Sequence, residues 1–175
     1  MLRTGAVIDV GGGASPLAGR LLDAGYAVTV LDLSAPALGR AKARLGARAA
    51  SVGWIVADVT DVQDVGRFDL WHDRAAFHFL THPRERARYG SLLRRTVPAG
   101  GHAVIATFAP DGPPQCSGLD VARYSGESLA RELGPAFERL RTVPETHVTP
   151  RGTPQSFQYS VFRHGPAGGS VEGAA

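Results

Sequence analysis

Lysine is almost absent from this chain: Lys42 stands alone, and arginine carries the rest of the positive charge behind a formal net charge of +3. No long basic run occurs, so the charge leaves no nucleic-acid footprint and reads as a solvated, arginine-rich surface. Cysteine is limited to Cys116, which excludes an internal disulfide and fits a reducing compartment. No apolar run is long enough to span a bilayer. The start, MLRTGAVIDV, lacks a signal-peptide pattern, because its short apolar stretch runs straight into Asp9 and glycine. These absences point to a cytoplasmic protein. What is present is an ordinary globular balance: 175 residues, 43% hydrophobic and 20% charged, enough for one domain with a real core. No internal repeat or interdomain linker interrupts residues 1–164. The tail at 165–175, GPAGGSVEGAA, is glycine-rich and weakly charged and is expected to be disordered.

Hydrophobic patterning predicts alternating strands and helices. Ala6–Val10 is a short buried strand rich in β-branched residues. Ser15 and Pro16 then suit the start of a helix, which Gly25 stops. Ala27–Leu31 is a second strand, and Ser34 caps a second helix that ends at Gly46. Val52–Ala57 is a third strand and Phe68–His72 a fourth. A helix through Arg84–Thr96 follows, then a fifth strand at His102–Phe108. Pro110–Gly118 reads as a loop, and Ser125 caps a helix ending near Gly134. Phe137–Val148 and Gln155–Arg163 form an antiparallel pair around the turn TPRGTP. The sum is an α/β fold: a Rossmann-like, doubly wound, seven-stranded sheet, mostly parallel with an antiparallel last strand.

In such a sheet, ligands bind at the carboxyl ends of the strands. The first strand ends in Gly11, Gly12 and Gly13, where absent side chains let a ligand approach the backbone. Asp32 ends the second strand in VLDLS and suits ribose hydroxyls. Asp58 ends the third in WIVADVT, where a carboxylate accepts an adenine amino hydrogen. A dinucleotide competes for this turn, but its G-x-G-x-x-G pattern is broken by Pro16. Asp9, inside the strand, would also repel a pyrophosphate; it suits a cationic ligand such as the sulfonium and amino group of S-adenosylmethionine.

With these residues in place, IDVGGGAS resembles the first motif of the class I S-adenosylmethionine-dependent methyltransferases, VLDLS their ribose-binding acid and VADVT their adenine-side acid. The resemblance covers Ala6 to Arg163. It implies S-adenosyl-L-methionine as cofactor, with Asp9 and Gly11 by the methionine part, Asp32 at the ribose and Asp58 at the adenine, and with Gly12, Gly13, Leu33 and Val59 also cofactor-binding. His72 joins this cofactor-binding set. Ser15 stands where the family often has a third glycine. The family usually carries an N-terminal helical lid, whereas only Met1 to Gly5 precede the first strand here. A site without that lid is expected, open or covered by a second copy in a homo-oligomer; the alternative is a misassigned or truncated start.

The segment WHDRAAFHFLTHPRER follows the fourth strand and, in this fold, lies beside the transferable methyl group. Asp73 is a candidate to hold a cationic acceptor, His78 a candidate base, and Arg74 a third catalytic candidate. The structural alternatives are an Asp73–Arg74 ion pair, an Asp73 turn cap, and a hydrogen-bonded core histidine at 78. His72, Asp73 and His78 match no standard metal spacing, so no metal is expected. WHDRAAF is similar to the W-D-R-A/G region of thiopurine-type and thiol-type methyltransferases. It also resembles the D-K-G-T region of lysine methyltransferases acting on elongation factors. The first implies a small-molecule acceptor with a nucleophilic sulfur, nitrogen or oxygen; the second, a protein lysine. A nucleotide-binding module without catalysis is the alternative from another class. Nucleic acid is not the expected partner, because WHDR stands where a base-flipping motif would be. Cys116, His147, Arg151 and Gln155 are expected near the acceptor rim, Cys116 as a half-buried small residue.

Overall fold

The computed structural model describes residues 5–149 and 152–166. Among these, seven strands form one sheet in the order β3-β2-β1-β4-β5-β9-β8. Its parallel part comprises β1 (Ala6–Val10), β2 (Ala27–Asp32), β3 (Val52–Val56), β4 (Leu70–Arg74) and β5 (His102–Phe108). Two further short strands, β6 (Gln115–Cys116) and β7 (Leu119–Asp120), pair separately as a small hairpin. Strands β8 (Phe137–Val148) and β9 (Pro154–His164) complete the sheet, with β9 antiparallel to both β5 and β8. The expected doubly wound topology with an antiparallel last strand is therefore present. The order reverses between β1 and β4, which defines the switch point. No helix among the described residues is long and apolar enough to cross a membrane.

Four helices connect the strands: α1 (Leu17–Asp23), α2 (Ala35–Leu45), α3 (Pro83–Thr96) and α4 (Gly126–Leu133). Local chemistry sets their ends. Ser34 accepts from the Ala37 amide to cap α2, and Ser125 does the same from Ser128 for α4. For α3 the cap is His82, whose Nδ1 accepts from the Arg84 amide while Glu85 accepts from the His82 amide. His82 is thereby spent on structure. At α1 the cap position falls on Pro16, one residue later than expected, and Ser15 Oγ instead accepts from the Leu17 amide at 3.2 Å.

The fourth strand lies two residues further on than its apolar pattern suggests. Pairing with β1 sets the register, matching Val7 to Leu70 and Val10 to Asp73. Asp69 precedes the strand and accepts from the Ala6 amide. Alternation then sends Trp71 and Asp73 to one sheet face and His72 and Arg74 to the other. The first face is dry. Ile8, Trp71, Ile105 and Phe162 pack there against Tyr89, Leu92 and Leu93 of α3 and Leu129 of α4, all fully buried. Each such side chain contributes about 1.5–3 kcal/mol. The second face meets α1 and α2 only near β2 and β3, through Ala18, Val28, Val30 and Leu38. Over β4 and β9 it carries polar groups instead.

Candidate functional site

The chain leaves β1 through Gly11 and Gly13, both with positive φ, at 67° and 45°. The Gly11 amide donates to the Leu31 carbonyl at 2.8 Å, so this turn is tied to β2. Much of the demand for glycine is internal. A Cβ at Gly11 would stand 2.8 Å from Ala76 Cβ; one at Gly12 would stand 2.5 Å from Asp9 Oδ2 and 2.7 Å from Val30 Cγ1. Gly12→Ala is therefore expected to displace Asp9 and cost about 1–3 kcal/mol, as other overpacked sites do. Urea denaturation checks this, and an unchanged midpoint would show that Asp9 can yield freely.

Two cavities meet at Gly11. The larger, about 690 Å³, opens over the ends of β1, β2 and β3, with Asp32, Leu33, Asp58 and Val59 in its wall. Its remaining wall is mostly apolar and comes from Ala75, Ala76, Phe79 and Leu80 after β4, and from Leu119. Leu33 and Leu119 are 70% and 61% exposed, large apolar groups at its mouth. The two carboxylates share one arrangement. Asp32 Oδ1 accepts from the Ser34 amide at 2.7 Å. Asp58 Oδ1 accepts from the amide and hydroxyl of Thr60, both at 2.7 Å. In each case a local turn fixes the carboxylate and leaves the second oxygen without a partner among the described residues. Gly13 lines neither cavity.

The smaller cavity, about 380 Å³, lies across the switch point and is walled by Asp9, Gly12, Arg20, His72, Arg74 and Tyr159, among others. Asp9 is 2% exposed, and its Oδ1 lies 2.7 Å from His72 Nδ1. Asp9 is thus hydrogen-bonded to His72 through one oxygen, and its second oxygen has no partner among the described residues. Arg74 turns away from Asp73, so the alternative of an ion pair between them is not formed. Its Nε–H donates to the Tyr159 hydroxyl at 2.8 Å, and a terminal nitrogen lies 3.3 Å from His147 Nδ1.

Two of the candidate catalytic residues lie elsewhere. Asp73 is fully buried on the dry face. Its oxygens accept from the Ala76 amide at 2.8 Å, the Phe77 amide at 3.1 Å and the Tyr89 hydroxyl at 2.7 Å. Tyr89 in turn accepts from Trp71 Nε1 at 2.8 Å. Asp73 caps the turn after β4 and has no surface on either cavity, so it does not hold an acceptor. Burial outweighs these bonds and raises its pKa to about 6. The Tyr89 hydroxyl, buried beside it, is pushed well above its ordinary value. His78 is also fully buried, among Phe79, Phe108 and Phe157, and burial lowers its pKa to about 4. Its Nδ1 faces the Phe108 amide at 3.4 Å, and its Nε2 has no partner. It is a neutral core histidine, out of reach of the cleft. Cys116 is half-buried against the cluster of Ala106, Phe108 and Phe157. Gln155 pairs with His147 in the β8–β9 ladder, while Arg151 and residues 167–175 of the tail fall outside the described residues.

Three groups at the cleft were not singled out from the sequence: Arg20, Tyr159 and the aliphatic wall of Ala75 and Leu80. Ala75 carries a signal only in the backbone, a φ of 67° that is costly for a residue with a Cβ.

Comparison with known proteins gives a consistent neighbourhood. A family model described as a methyltransferase domain matches residues 7–101. Uncharacterized methyltransferases of Mycobacterium tuberculosis and Mycobacterium bovis are 36% identical over 112 residues, 62% of this chain and 54% of theirs. The chain thus spans about half the length of the curated relatives it matches. A solved structure from echinomycin biosynthesis, where a disulfide bond becomes a thioacetal group, is 25% identical with a TM-score of 0.76, covering 94% of this chain and 78% of that one. The Burkholderia thailandensis 1,6-didemethyltoxoflavin-N1-methyltransferase, solved with its acceptor and S-adenosylhomocysteine, is 21% identical with a TM-score of 0.73, covering 94% and 72%. At that identity it speaks for the fold.

Proposed function

Because the chain belongs to the methyltransferase domain family, we propose that it transfers the methyl group of S-adenosylmethionine to a nucleophilic sulfur, nitrogen or oxygen of a small molecule. One observation carries the reading: Asp32 and Asp58 flank a single apolar cavity, each with one oxygen locked by its own turn and one left over. The residues fit the cofactor. The free oxygen of Asp32 suits ribose hydroxyls, that of Asp58 an adenine amino group, and Leu33, Val59 and Phe79 supply apolar surface for a nucleobase. Gly11 joins this cavity to the one holding Asp9 and His72, where the methionine end would lie.

When bound, S-adenosylmethionine supplies an electrophilic methyl group on a sulfonium. The chain's own work is chiefly positioning, since in-line displacement depends on the geometry of the acceptor's lone pair. Asp9 holds the proton of His72 on Nδ1, which leaves Nε2 with a lone pair. That nitrogen is the cleft's candidate to take a proton from a neutral nucleophile. A protein lysine fits less well: Arg20 and Arg74 would meet its ammonium group, and the one carboxylate of that cavity, Asp9, is engaged by His72.

Calorimetry with S-adenosylmethionine, S-adenosylhomocysteine and NAD tests the reading. The two adenosyl compounds are expected to bind, and NAD is not. Asp32→Ala should weaken them about 10–100-fold, the worth of a charge-assisted hydrogen bond. Release of S-adenosylhomocysteine with an acceptor panel then separates an enzyme from a passive binder. Preferential binding of NAD would overturn the assignment.

A further inference from the structure

Arg74 is the cleft's most constrained cation, and nothing described on the chain neutralises it. We propose that the methyl acceptor is an anion, carrying a carboxylate or a phosphate, and that Arg74 receives that group. This rests on the methyltransferase reading above.

The guanidinium is fixed from three directions. Tyr159 of β9 accepts from Nε, His147 of β8 sits 3.3 Å from a terminal nitrogen, and the Phe157 ring lies 5.4 Å below the guanidinium carbon. Neither polar partner is a carboxylate, so they orient the charge without compensating it. Of five N–H donors, the two contacts use two; the rest remain for a ligand. No carboxylate among the described residues pairs with Arg74, although five other arginines there form ion pairs with carboxylates. An arginine held with the end-on edge of its guanidinium free is a recognition element for carboxylate or phosphate.

The described lining of this cavity sets two arginines against one carboxylate. Arg20, on the same cavity, also lacks a described carboxylate partner, and Asp9 is both buried and committed to His72. The Tyr159 hydroxyl accepts from Arg74, which leaves its own proton to donate to the same anion. A cationic acceptor, the expectation attached to Asp73, does not find that carboxylate here, because Asp73 lies beneath the sheet.

The cofactor's amino-acid carboxylate is another anion at this end of the cleft. Position argues for the acceptor. Asp32 ends β2 and Asp58 lies just beyond β3, on one side of the switch point, whereas the bonds of Arg74 reach the opposite way, to β9 and β8. Arg20 sits on α1, the helix that follows the glycine turn.

The test uses the protein loaded with S-adenosylhomocysteine and titrated with benzoate, phenyl phosphate and uncharged methyl benzoate. At least one anion should bind about tenfold or more tighter than the ester. Arg74→Met should remove that preference while shifting S-adenosylhomocysteine affinity less than about twofold. Tyr159→Phe should weaken the anion about threefold, and Arg94→Met, on the exposed side of α3, should leave it unchanged. Equal binding of ester and anions would overturn the proposal. So would an Arg74→Met protein that loses S-adenosylhomocysteine as strongly as benzoate, which would give Arg74 to the cofactor. Failure of the wild-type chain to bind S-adenosylhomocysteine is read out separately and would remove the methyltransferase premise itself.

Discussion

Asp73→Ala should destabilise the fold by about 3–5 kcal/mol, because it leaves buried donors without an acceptor. Those donors are the Ala76 and Phe77 amides and the Tyr89 hydroxyl, in a region with no access to water. The same change frees the turn that holds Ala75 at its unfavourable φ. For a chain of this length the melting temperature should fall about 10 °C. Asp73→Asn keeps an acceptor oxygen and should cost less than half as much. A loss below about 1 kcal/mol in Asp73→Ala, measured by urea unfolding, would mean that the turn is held by its neighbours instead.

The second large effect concerns pH. The Asp73 carboxyl rises from 3.8 to about 6, so its contribution is full below pH 4 and is lost as pH climbs through 6. The His78 imidazole falls from 6.5 to about 4, so its contribution is full above pH 6.5 and is lost as pH drops through 4. Each is worth about 3 kcal/mol, at about 1.4 kcal/mol per pH unit. Their slopes oppose between pH 4 and 6.5, and the two contributions together should be nearly level across that window. Asp73→Asn removes one side, and its stability should rise with pH by about 3 kcal/mol relative to wild type. His78→Leu removes the other, and its stability should fall by a similar amount. Urea midpoints at several pH values decide this. Parallel profiles for all three proteins would show that neither group titrates as its burial implies.

Asp73 also marks where the sequence stops being legible. Strands β1, β2, β3 and β5 are readable because each is a short apolar run between turn residues, and β8 and β9 because alternation survives in QSFQYSVFR. In β4 the apolar signal ends at Trp71, yet pairing carries the strand to Arg74. A buried carboxylate looks like a loop residue until its three donors are known, and one of them, Tyr89, lies 16 residues away. The β6–β7 hairpin hides within PDGPPQCSG and the residues after it, where turn formers dominate. At the cleft, Asp32 and Asp58 are readable because each closes its own strand. Arg74 with Tyr159 and His147 is not, since those contacts span 85 and 73 residues and no local pattern joins them. His78 beside Arg74 drew attention as a base by residue type alone, and burial decided otherwise.

The strand order has a consequence for how this chain is made. Strand β9 sits between β5 and β8, so β8 has no place in the sheet until β9 arrives. During synthesis, β8 emerges first and must wait, while β5 presents an open, apolar edge for some fifty residues of elongation, as the pairing of Phe108 with Phe157 and of His102 with Arg163 requires. Such an edge invites pairing with other chains. A ribosome that stalls between β8 and β9 would therefore hold a chain whose sheet ends at β5, with β8 made but unplaced, and with Arg74 in place before its orienting partner Tyr159 is made.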